Sequence, residues 1–370
     1  MLRIIIHGTF FGLLVLSFST NAQMVGAEAM RFKNFTLHNA PPKYLLSKKS
    51  AVFISTPPDS KDHRLREDWK EFAKEIHGSF KKMGIDAVAY YYIDDLFSNS
   101  DVNESLAKDL IKRQFKYVIL VEHTRSSINP DLENYYVITV TPFNKELTFV
   151  DEGANAWRIE GPSLNTLLVK MSKDIQRKEM KFSNYLIPDE PEFFTDAAII
   201  KGRRIPTYAM DLKVEPLIVP KFQKYIPKDS SQINVTTRAK IKKFNDEIDR
   251  KNQRLEQIMS TYPLKYEISD NFSDSEVYNR GGQFVLLHFN TTGDHIKAFM
   301  DYEIDGDEIL ESKTAMGKVS LPAEAEVTKF YVKHVFTKDV YTGLNWDAAL
   351  TWEEALENFV FNMKDILDIN

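Results

Sequence analysis

The sequence predicts a mixed α/β protein made of two tandem, similarly built domains, each a mixed or antiparallel sheet covered by helices on one side. Three observations carry this prediction. Short runs of β-branched and aromatic residues alternate with stretches of helical period. The order β-α-β-α-β-β-β-α is traced twice, and a proline-bearing connector separates the two tracings. A chain of 370 residues is long enough for two domains of ordinary size.

Residues 1–22 read as a cleavable signal peptide. Arg3 supplies the positive charge, Ile4 to Phe18 the apolar stretch, and Thr20-Asn21-Ala22 a small-x-small site, so the cut is expected after Ala22. The stretch is too short and wrongly flanked for a membrane anchor. The expectation is a soluble chain of the periplasm or the cell exterior. Residues 23–49 then form a polar leader containing Pro41 and Pro42.

The first α/β domain is expected over 50–180. Ala51 to Ser55 is its first strand, ended by Thr56-Pro57-Pro58. Leu65, Trp69, Phe72, Ile76, Phe80 and Met83 recur at steps of three and four, the apolar face of a helix that Gly84 can stop. Ile85 to Ile93 predicts a strand. Asp101 with Glu104 resembles an N-cap pair for a short helix through Leu106, Leu110 and Ile111. Strands follow at Lys116–Thr124, Tyr135–Thr141 and Trp157–Glu160. A helix then turns Leu164, Leu167, Leu168, Met171 and Ile175 inward.

The connector, 181–212, holds Pro188, Pro191 and Pro206, and its Tyr185, Phe193, Phe194 and Tyr208 predict that it packs on a domain. The second domain, 213–370, repeats the order. Leu217 to Val219 ends at Pro220. A long helix over Thr237–Ser260 is striped by Ile241, Phe244, Ile248, Leu255 and Ile258. Leu264–Ile268 is a strand, and Ser273 with Glu276 forms a capping box for a short helix stopped by Gly281-Gly282. Gln283–Thr291 then matches Lys116–Thr124 residue by residue. A meander of strands and a helix burying Trp352, Leu356, Phe359, Met363 and Leu367 close the chain. The element order of each half is similar to that of the small α/β envelope domains exemplified by the amino-terminal domain of TolB. That similarity implies an architecture only.

The absence of cysteine excludes disulfides, thiolate metal sites and cysteine nucleophiles. The net charge of −5, with both signs mixed along the chain, leaves no basic footprint for nucleic acid. No run outside the amino terminus is long enough to span a bilayer. Neither a G-x-S-x-G elbow, an HExxH pair nor a phosphate-cradling glycine loop occurs. His288 and His295 flank a presumed turn at Thr292-Gly293 and could join His334 around zinc. The spacing matches no known site, and hydrogen-bonded strand histidines are the plainer expectation. Glu122-His123, Asp94-Asp95 and Asp189-Glu190 read as loop and strand-end charges. No catalytic residue, metal ligand or cofactor is therefore assigned. Glycosylation sequons stand at Asn34, Asn103, Asn234 and Asn271.

Aromatic content points elsewhere. Core and strand packing is the plainer expectation for these rings, but strand alternation cannot put Tyr90, Tyr91 and Tyr92 on one core face, so one face of that strand could offer an aromatic binding surface. The long helix is expected to lie solvated on a sheet, although its heptad Ile241, Ile248, Leu255, Tyr262 could also dock a partner helix. Together these features predict a non-catalytic binding or assembly protein of the bacterial cell envelope with a protein or glycan partner. The alternative is an exported hydrolase, with or without a metal.

One further stretch, MDYEIDGDEILES (Met300–Ser312), places Asp301, Glu303, Asp305 and Gly306 as an EF-hand loop would. Position twelve is Ser312, not glutamate, so calcium binding is not expected. Ile296, Ala298, Met300, Tyr302 and Ile304 alternate as in a strand, and Asp305-Gly306 is a favoured hairpin turn.

Overall fold

The computed structural model describes residues 35–125, 134–178, 180–194, 200–227, 233–270, 273–302, 309–314 and 317–367. The expected signal peptide and the Asp305-Gly306 turn lie outside these residues. The chain folds as a mixed α/β protein with one seven-stranded and one six-stranded sheet, a two-stranded hairpin and eight α-helices among the described residues.

In the first half, β1 (Thr36–His38), β2 (Ser50–Ser55), α1 (Trp69–Lys82), β3 (Ala87–Tyr92), α2 (Ile93–Leu96), α3 (Ser100–Lys112), β4 (Tyr117–Arg125), β5 (Asn134–Pro142), β6 (Asn155–Gly161) and α4 (Leu164–Gln176) follow in order. The sheet runs β1-β6-β5-β4-β2-β3-β7, where β7 (Glu192–Phe194) comes from the connector. Strands β4, β2, β3 and β7 are parallel, and β5 is antiparallel to both its neighbours. Asp68 caps α1, its Oδ1 accepting the Glu71 amide at 3.0 Å. For α3 the cap is Asn99, which accepts the Val102 amide. Asp101, expected in that role, instead pairs with Lys333 of the second half. Leu65 precedes α1 and bridges to Ala325.

The second half contributes β8 (Arg204–Ile205), β9 (Leu217–Pro220), α5 (Val235–Met259), β10 (Tyr266–Ser269), α6 (Asp274–Asn279), β11 (Phe284–Thr292), α7 (Gly293–Phe299), β12 (Ile309–Thr314), β13 (Gly317–Pro322), β14 (Glu326–His334), β15 (Val340–Tyr341) and α8 (Trp352–Ile366). Its sheet runs β10-β9-β11-β14-β15-β8. Counted from β2 in the first half and from β9 in the second, both sheets share the core order 2-1-3-4-5 with the same directions: two parallel pairings, then two antiparallel ones. The second half also inserts α7 and the β12–β13 hairpin between its third and fourth strands.

The insertion corrects one expectation. The sequence pattern from His295 predicts a strand after a turn, but Gly293–Phe299 is helical. Ile296, Phe299 and Met300 fit a helical face as well as Ile296, Ala298 and Met300 fit a strand. Packing decides, because Phe299 lies edge-on against Phe289 at 4.8 Å and Ile296 and Met300 are buried with it. Asp301, at φ 57°, ends the helix in the left-handed conformation that aspartate tolerates better than most side chains.

A second correction concerns the sheet faces. Helices were expected on one side only, yet the first sheet is covered on both. Val52, Ile54, Tyr90 and Tyr92 face α1 and α4, and Ala51, Phe53 and Tyr91 face α3. The cluster on the α3 side continues without a break into the second half through Ile218, Val285, Leu287, Phe289, Val327 and Tyr331. The two sheets therefore share a core.

Helix α5 uses its heptad seam internally. Ile241, Ile248, Leu255 and Tyr262 are all buried, against the preceding segment or the sheet. Asn252 accepts from the Phe222 amide at 2.8 Å and donates to its carbonyl at 2.9 Å. Asn245 does the same for Tyr225, both bonds at 2.9 Å. Seven helical residues and three extended ones both span about 10 Å, so the two asparagines grip one straight strap. The seam is thus occupied by the chain itself, as expected of a helix lying on its own domain, and is not open to a partner helix.

Candidate functional site

Strand β2 has β3 on one side and β4 on the other, and the crossover helices α1 and α3 lie on opposite faces. The carboxyl ends of β2 and β4 therefore form a topological switch point, the place where open α/β sheets collect ligand-binding side chains. A polar cluster lies there. Glu67, from the loop before α1, receives a hydrogen bond from His123 Nδ1 at 2.7 Å and is paired with Arg125. His123 Nε2 lies 2.9 Å from Asn134 Oδ1, and the ring stacks on Tyr136 at 4.5 Å.

Beside it is a buried charge cluster joining the halves. Arg66 Nη2 is 2.7 Å from Asp95 Oδ1 and 2.9 Å from Glu326 Oε1, and the guanidinium lies 4.1 Å from the Tyr92 ring centre. Burial opposes the Arg66 charge, but Asp95 and Glu326 more than offset it and raise its pKa. Burial also raises Asp95, against the pull of Arg66. His295, whose Nδ1 is 3.1 Å from Thr291 Oγ1, is lowered by burial although Asp294 and Asp95 act the other way.

The three proposed histidine ligands are not brought together. His288 lies between Phe222 and Phe330 on the α5–α8 side, with ring centres at 5.4 and 5.2 Å. His295 is on α7, and His334 ends β14, where its Nδ1 accepts the Phe336 and Thr337 amides. Among the described residues no group of three or more metal-ligating side chains could hold an ion. No described helix is long and apolar enough to cross a membrane.

Tyr90, Tyr91 and Tyr92 are buried, at 0, 0 and 4 % exposure. The expected aromatic surface is not there. Alternation does split them between two faces, but each face is covered: Tyr90 and Tyr92 by the α1 side, with Phe193 at 6.3 Å from Tyr90, and Tyr91 by Phe53 and Phe194. Asn103, a sequon position, is also buried, its Nδ2 donating to Leu96 O at 2.6 Å.

Sequence reasoning singled out His123, Asp95 and His295 but missed Arg66, Glu67 and Glu326. Arg66 and Glu67 sit in the first strand-to-helix loop, and that position was the available signal. Glu326 lies 260 residues from Arg66, and nothing local connects them.

His288 yields a testable pH dependence. Burial, with Lys251 adding to it, lowers its pKa from 6.5 to about 4. A depressed folded pKa means stability present above pH 6.5 and lost as pH falls through about 4. The difference is worth about 3 kcal/mol. Urea unfolding of wild type and His288→Phe at pH 7 and pH 4 should show that much less acid destabilisation in the variant. Equal losses in the two proteins would refute it.

No family model, curated protein or solved structure matches the chain.

Proposed function

We propose that this is an exported, soluble, non-catalytic binding or assembly protein of the bacterial cell envelope, acting through its surfaces on a protein or glycan partner. What supports the reading most is the fate of its histidines. His77 faces the Ala87 and Pro188 carbonyls, His123 is held between Glu67 and Asn134, and His288 is enclosed by aromatic rings. His295 meets Thr291, and His334 accepts backbone amides. Each of these five imidazoles already has partners within the fold. A histidine that acts as general acid or base must be within reach of a substrate proton. Crosslinking of the full chain in its native envelope, with purified chain as competitor, should capture a specific partner that the competitor displaces. Recovery of no displaceable protein or glycan would overturn the proposal.

A hydrolase remains the second reading because the Glu67–His123 pair stands at a switch point. Loss of a general base costs about 10²–10⁴-fold in rate. A hydrolytic activity that falls by that factor in both His123→Gln and Glu67→Gln would favour the hydrolase over the binder.

A further inference from the structure

Lys329 on β14 and Asp347, in the segment after β15, lie with Nζ and Oδ1 2.5 Å apart, and both side chains are wholly buried. Their backbones are locked side by side. The Thr328 amide donates to Ala349 O at 2.7 Å, and the Ala349 amide donates back at 3.1 Å. Phe289 is the cross-strand partner of Lys329, and Val327, Tyr331 and Ala348 belong to the same apolar cluster. Despite the short separation, neither Lys329 Nζ nor Asp347 Oδ1 makes a hydrogen bond of proper geometry. An ammonium removed from water with none of its protons donated is costly, and so is a carboxylate in the same position. Burial accordingly lowers the pKa of Lys329 and raises that of Asp347, which favours the neutral amine beside the neutral acid.

A neutral amine held against a carboxyl group in a dry pocket is a nucleophile and an electrophile at high effective concentration. We propose that Lys329 and Asp347 condense into an intramolecular amide, a side-chain isopeptide bond tying β14 to the segment that leads into α8. The Nζ lone pair attacks Asp347 Cγ, so a C–N bond forms and the C–OH bond breaks. One amine proton leaves with the hydroxyl as water, and the other stays on the amide nitrogen. Nothing is oxidised or reduced. Tyr208 Oη, donating to Asp347 Oδ2 at 3.4 Å, steadies the charge that grows on that oxygen as the carbon becomes tetrahedral. Gly343 makes room for that phenol. Its φ is +77°, and a Cβ there would stand 2.6 Å from Tyr208 Oη. The product carries neither buried charge. In a chain without cysteine it supplies a covalent tie that reducing agents leave intact.

The test is the intact mass of the folded, purified chain after denaturation. The expected result is a mass lighter than that of the unmodified polypeptide by one water, with the peptides carrying Lys329 and Asp347 recovered as one linked species after proteolysis. Asp347→Asn should lose one ammonia instead, because nitrogen then leaves in place of oxygen. A cyclic imide at Asp347-Ala348 would also remove one water, but that loss would survive Lys329→Met. An unshifted wild-type mass overturns the proposal, and so does a loss that persists in Lys329→Met. The wild-type mass and peptide map need no variant to fold.

Discussion

Arg66→Met should destabilise the protein by about 3–5 kcal/mol, the usual consequence of leaving a buried acid, here Asp95, without its cation. Arg66 and Asp95 are each about 5 % exposed, and Glu326 reaches the same guanidinium from the second half. The double variant Arg66→Met/Asp95→Leu should recover much of the loss, since removing both charges leaves less to solvate. The single variant should also recover on acidification. Burial raises the folded pKa of Asp95, so its favourable contribution is fully present below the ordinary carboxylate value and lost as pH rises through the folded one. Without Arg66 that window moves higher. Urea unfolding between pH 5 and 8 measures both effects. A deficit below about 1 kcal/mol, or one that does not shrink with acid, would show that this cluster does not hold the halves together.

Phe289→Ala should cost about 3–5 kcal/mol, the range for an aromatic side chain removed from a packed core. Phe289 is fully buried, packs on Phe299 at 4.8 Å and Tyr331 at 5.8 Å, and belongs to the cluster that also contains Phe53 and Tyr91 of the first sheet. Because that core is shared, the loss should appear in both halves. The four tryptophans divide evenly as probes, Trp69 and Trp157 in the first half and Trp346 and Trp352 in the second. Fluorescence of variants retaining one pair or the other should give the same unfolding midpoint, and Phe289→Ala should lower both together. A first-half midpoint untouched by Phe289→Ala would mean separate cores.

Much of the architecture was legible because it is local. Apolar period distinguishes α1, α4, α5 and α8 from the strands, and the capping chemistry at Ser273 is as expected, its Oγ accepting the Glu276 amide at 3.2 Å. The burial of the tyrosines was partly legible too. Ala51 to Ile54, Ala87 to Tyr92 and Tyr117 to Val121 are almost continuous apolar runs, the pattern of strands covered on both faces. The choice between helix and strand at α7 was not legible, since Ile296–Met300 satisfies both periods and only Phe289 selects one.

Element type and order follow from residue periods and end signals, which act over a few positions, and the sequence therefore specified two α/β halves. Contacts that join distant positions obey no such period. Arg66 with Glu326, Asp101 with Lys333, and the shared core exist only because the sheets pack together. Lys329 with Asp347 arises in the same way, through the pairing of Thr328 with Ala349. Burial then gives these groups their chemistry, because removing water turns ordinary surface charges into groups that must pair, lose their charge or react.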